Sequence, residues 1–74
     1  MADRSIISLA SGIQEMLACR VLERYGIKTI DDLSQFISDN REGWVDLVER
    51  FRGMGPTKIN AVREMVSRAK LADN

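Results

Sequence analysis

Four residues in the stretch "FRGMGPTKINAV", from Phe51 to Val62, could do chemistry together: Gly53, Gly55, Thr57 and Lys58. The chain has five glycines, and two of them flank Met54 here, with Pro56 immediately after. Glycine admits positive φ and lets the backbone approach a ligand closely. Proline suits the first position of a helix, where its missing amide is not needed. A helix that starts at Pro56 would point bare amides at Gly55, Thr57 and Lys58 outward, which is an anion site, strongest for a phosphate. Lys58 would add a charge and Thr57 a hydroxyl. Arg52 and Arg63 stand close enough in sequence to reach neighbouring phosphates, with Arg50 or Arg68 as further candidates. The other reading is that the glycines merely turn the chain between two helices.

Other chemistries find few residues. Cys19 is the single cysteine and histidine is absent. A lone thiol builds no disulfide framework, and a structural zinc site lacks its usual ligands. As a nucleophile Cys19 would lack an imidazole base, so it reads as a small, half-buried helix residue. The expectation is a protein that is not an enzyme, with no cofactor, no metal and no small-molecule substrate.

The net charge is zero, but its distribution is uneven. Residues 1–49 carry five basic and nine acidic side chains, a net −4, and residues 50–74 carry six basic and two acidic, a net +4. Positive charge therefore gathers around and after the two glycines, a field that attracts an anion locally. The acidic first half, with Asp31, Asp32, Asp39, Glu42, Asp46 and Glu49, would repel DNA and could meet a basic protein partner.

The elements that must position these residues read as helices. The 74 residues suit a single domain, 1–74, that buries only about 60% of its unfolded surface. The chain is 45% apolar and 30% charged, ordinary for a soluble globular protein. No window approaches the roughly 20 apolar residues of a membrane span, and "MADRS" opens no signal-like apolar block, so a cytoplasmic location is expected. Apolar residues recur at three and four rather than alternating. "SIISLA" reads as a helical turn or a lead-in. In "SGIQEMLACRVLERYG", Ser11 and Gln14 suggest a capping box, Ile13, Leu17, Val21 and Leu22 an inner stripe, and Gly26 a stop with Ile27 packing back. In "KTIDDLSQFIS", Thr29 caps, Asp31 and Asp32 favour the first turn, and Ile30, Leu33, Phe36 and Ile37 face inward.

"DNREG" is a polar break. Trp44, Leu47, Val48 and Phe51 then mark an amphipathic helix that runs to Arg52 and is ended by Gly53. Trp44 reads as core rather than as an interface anchor. From Pro56, the residues Ile59, Val62, Val66 and Ala69 keep helical spacing. The predicted fold is all-α, a compact bundle of four or five short helices, with a three-residue hairpin before the last one and Met54 pinned inward. Phe51 is the single aromatic beside that hairpin and is assigned to the core, so base stacking is not expected.

"LVERFRGMGPTKINAV" resembles the helix-hairpin-helix motif, which places such a domain's hairpin at 44–70. That family grips the DNA backbone through loop amides without regard to sequence, which implies Arg52, Gly53, Gly55, Thr57, Lys58 and Arg63 as the DNA-binding set. The motif commonly has alanine where this chain has Ile59. More widely, "VLERYGIKTIDDLSQFI" followed by "GMGPTKINAVREMV" is similar to the C-terminal domain of the bacterial RNA polymerase alpha subunit. Leu22, Ile27, Asp32, Leu33, Gly55, Ile59 and Val62 fit its spacing over roughly residues 11–70. The resemblance implies an all-helical domain that contacts promoter DNA and docks transcription proteins, with duplex DNA, a transcription protein or RNA polymerase as partners. The family's DNA-reading arginine and asparagine fall on Leu17 and Arg20, and its loop lysines on Pro56 and Thr57. Backbone contact, or protein contact, is what the resemblance leaves in place.

Overall fold

A short 3-10 helix, Ile6–Leu9, leads into α1, Ile13–Arg24, followed by α2, Ile30–Asp39, α3, Trp44–Glu49, and α4, Pro56–Ala69. The computed structural model describes residues 4–71; the start of "MADRS" and, from the charge count, Asp3 and Asp73 lie outside the described residues. The fold is all-α, and no described helix is long and apolar enough to cross a membrane.

Each boundary has a local cause. The amide of Asp32 donates to the Thr29 hydroxyl at 3.0 Å, and the Asp32 carboxylate accepts from the Thr29 amide at 3.3 Å, closing a reciprocal cap at the start of α2. At the end of α1 the Gly26 amide donates to the Glu23 carbonyl and the Ile27 amide to that of Leu22. Gly26 has φ +90°, so the chain reverses there and delivers Ile27 to the core, as its sequence indicates.

Helix α1 begins differently from the expected capping box. Its cap is Gly12, and Ser11 instead donates its amide and hydroxyl to Glu15, one turn into the helix. With the cap at Gly12, Glu15 rather than Gln14 is the third helical residue and reaches back, and Arg68 of α4 also holds its carboxylate, at 2.7 Å. The inner face also differs. Val21 and Leu22 are buried with Ala18 and Cys19, whereas Ile13 and Leu17 face solvent at 74% and 40% exposure. Cys19 is fully rather than half buried.

The core is built from Ile6, Ala18, Cys19, Leu22, Leu33, Ile37, Val48, Val62 and Met65, all fully buried. Helices α1 and α4 form its main packing pair; the 3-10 helix seals one side against α1 and α2, and α3 packs on α4. Burying a Leu-, Ile- or Met-sized side chain contributes about 1.5–3 kcal/mol, so a core this small leaves few positions redundant. Residue pairing across Ser5 and Thr29 ties the lead-in to the α2 cap: Ile6 donates to the Lys28 carbonyl and Ile30 to that of Arg4. Trp44 packs half-buried against the core.

Candidate nucleic-acid interface

Helix α3 stops at Glu49, three residues earlier than its apolar spacing indicates, so residues 50–55 join it to α4 instead of a three-residue hairpin. Past the end of the helix, Phe51 lies on Tyr25. Their rings stack with centroids 4.1 Å apart and 3° between planes, and Phe36 tilts against Phe51 with centroids 6.2 Å apart. The Arg52 amide then donates to the Tyr25 hydroxyl at 2.8 Å. Tyr25, at the end of α1 and half exposed, is thus an aromatic beside the turn that sequence spacing did not reveal. A Tyr next to a helix-stopping glycine was the available signal, but which ring it would meet depends on tertiary packing.

Beyond Arg52 the turn is shaped as its composition suggests. Gly53 has φ +94°, and a Cβ built on it would rest 3.5 Å from Val21 Cγ2, so the turn lies on the C-terminal half of α1. Met54 is buried and its amide donates to the Phe51 carbonyl. Gly55 caps α4 with φ −98° and ψ 178°, and the space where its Cβ would lie is open. Pro56 takes the first helical position.

The amides of Gly55, Thr57 and Lys58 have no hydrogen-bond acceptor among the described residues; the first α4 bond runs from Ile59 to the Gly55 carbonyl. No carboxylate stands in the first turn of α4, while α1 has Glu15, α2 has Asp31 and Asp32, and α3 has Asp46. No acid in its own first turn therefore offsets the positive end of this 14-residue helix.

The six sequence-indicated residues are distributed as follows. Arg52 and Thr57 are exposed, Gly53 is exposed, Gly55 and Lys58 are half-buried, and all five lie within the turn and the first turn of α4. Arg63 is exposed two turns along α4, where it lines a groove of about 400 Å³ with Glu49, Met54, Pro56, Ile59 and Asn60. Glu49 thus places a carboxylate on the flank of the same surface. Arg50 is exposed. Arg68, a further candidate, is engaged elsewhere: its guanidinium donates to both Glu15 carboxylate oxygens at 2.7 and 3.1 Å and to the Leu9 carbonyl at 2.6 Å. That hydrogen bond from Arg68 is the main reason the Glu15 carboxyl is held down at about 2.

Among the described residues no cluster of three or more acidic, histidine or cysteine side chains could hold a metal. The Cys19 thiol donates to the Ile6 carbonyl at 3.5 Å, and burial pushes it up to about 11, far from a reactive thiolate at neutral pH. Comparison with protein-family models, with curated proteins and with solved structures returns no match to this chain.

Proposed function

We propose that this chain is a small, non-enzymatic DNA-binding module of the helix-hairpin-helix kind, gripping the phosphate backbone without regard to sequence. The reading rests on one observation: the N-terminus of α4, where three amides find no acceptor among the described residues and no carboxylate stands in the first turn. Backbone N–H groups and the helix dipole together favour a phosphate at such a place. Lys58 supplies the adjacent charge, and Arg52 and Arg63 take the phosphates before and after it. Tyr25 contributes by holding the turn at the Arg52 amide rather than by touching the ligand. Glu49 opposes the anion on one flank and limits the footprint to a few phosphates.

Affinity of the isolated module is expected in the non-specific range of ~10⁻⁴–10⁻⁶ M, with a log–log salt slope of roughly −2 to −4 for two to four neutralised phosphates. The test is fluorescence anisotropy with labelled duplex DNA at two salt concentrations, on the wild-type chain and on a Lys58→Glu, Arg63→Glu double variant. The double variant should stay folded and lose most of the binding. If it is folded and binds duplex as the parent does at low salt, the phosphate grip is wrong.

A further inference from the structure

Helix α1 turns its outward side to solvent with an unusual content. Of the five large apolar side chains exposed among the described residues, three lie on it one turn apart: Ile13 at 74%, Met16 at 42% and Leu17 at 40%. Positions 13, 17, 20 and 24 fall on one line along a helix, so Arg20 and Arg24 continue the apolar turn toward the C-terminus, and both are exposed. Neither is ion-paired among the described residues. Of the carboxylates of α1, Glu15 is on the core side, clamped by Arg68, and Glu23, two turns after Met16, borders the face half-buried. In an acidic first half of the chain, one helix therefore shows an apolar turn followed by two unpaired cations.

We infer that the outward face of α1, Ile13, Met16, Leu17, Arg20 and Arg24, docks an acidic amphipathic helix of another protein, running antiparallel to α1. The charge pattern selects this occupant. An antiparallel helix places its first turns against Arg20 and Arg24, and carboxylates are most favourable in the first turns of a helix. Its later apolar residues then cover Ile13, Met16 and Leu17 at i, i+3 and i+4 spacing. A second copy of this chain fits worse. Two α1 helices meeting antiparallel would lay the apolar turn of each on the arginines of the other, leaving those guanidiniums without anions.

Displayed helical peptides of about four turns are panned on the full 74-residue chain, and the enriched sequences are read. They should carry Asp or Glu early and large apolar residues later. They should bind about tenfold or more weakly to Leu17→Ser and to Arg20→Glu, Arg24→Glu, both folded by circular dichroism. The charge-reversed variant should instead enrich Lys- or Arg-bearing peptides. The inference is overturned if nothing enriches, if enriched peptides lack carboxylates, or if the variants bind them undiminished. A dimer in sedimentation that Leu17→Ser dissolves would overturn it in favour of a second copy. Loss of duplex-DNA binding in folded Leu17→Ser would overturn it by assigning this face to nucleic acid.

Discussion

The Tyr25 hydroxyl accepts the Arg52 amide at 2.8 Å while its ring stacks on Phe51, so the end of α1 fixes the turn that precedes α4. The two contacts are separable. Tyr25→Phe keeps the stack and removes the acceptor; it should cost about 0.5–1.5 kcal/mol, the usual net value of one hydrogen bond. Tyr25→Leu should cost about 0.5–1.5 kcal/mol more by removing the aromatic pair. Urea denaturation gives the first quantity, and amide exchange at Arg52 should accelerate in both variants. An Arg52 amide that exchanges as slowly in Tyr25→Phe as in the wild type would mean that the hydroxyl does not hold the turn.

Glu15 makes stability depend on acid in a defined window. Its carboxyl is lowered from an ordinary 4.5 to about 2, first by the Arg68 hydrogen bond and then by the Ser11 amide, against the opposing effect of burial. A lowered carboxyl stabilises the fold above the unfolded value and loses that contribution as pH falls from 4.5 toward 2. With Arg68 nearly half exposed, at 46%, solvent screening reduces the contribution to about 1–2 kcal/mol. Asp32, also lowered by the Lys28 and Thr29 amides, acts in the same direction. Glu15→Gln should thus be less stable than the wild type at neutral pH, and the gap should close near pH 2. Urea midpoints of both proteins across that range measure it; a gap that ignores pH would refute the assignment.

The parts of the fold that depend on neighbours in sequence were legible. Thr29, Gly26, Pro56 and the inward Met54 each follow from one local rule and take their expected roles; Gly53 has its positive φ but does not end α3, which stops at Glu49. The parts set by distant contacts were not. Ile13 and Leu17 lead the more hydrophobic line along α1 yet face solvent, while Ala18, Cys19 and Leu22 join Val21 in the core, with the Cys19 Sγ 4.0 Å from Met65 Sδ of α4. Hydrophobic spacing alone cannot choose between two such lines. The cap lies at Gly12, whose third helical residue is Glu15, held by Arg68 from far along the chain, and where α3 ends early Phe51 stacks on Tyr25. For the candidate site, the bare amides of α4 were readable from Gly-Met-Gly-Pro, whereas Glu49 beside Arg63 and the clamp on Arg68 emerged only in three dimensions.

Cys19 should be chemically silent in the folded chain. It is fully buried, hydrogen-bonded to the Ile6 carbonyl and raised to about 11 by burial, with Glu23 and Glu15 adding to the effect. A thiol reagent at pH ~8, near the ordinary cysteine value, should therefore react only through opening of the α1–α4 core. The folded rate should fall below that in denaturant by about a thousandfold or more, following the unfolding equilibrium. Labelling at comparable rates in both conditions would show that the thiol is reachable without unfolding.

The two glycines of the turn should separate stability from binding. Gly53 sits at φ +94°, where a Cβ is strained, so Gly53→Ala should cost about 1–2 kcal/mol even though Val21 leaves room for the methyl. Gly55 has an extended conformation and open space around the would-be Cβ. Gly55→Val gives up a favoured cap residue without backbone strain and should cost no more than about 1 kcal/mol. If the α4 amides clasp a phosphate, the valine side chain shields them, and duplex affinity should drop several-fold while the urea midpoint falls less than in Gly53→Ala. Gly55→Val that binds duplex with unchanged affinity and salt slope would leave Lys58 and the arginines as a diffuse charge patch, without any role for the amides.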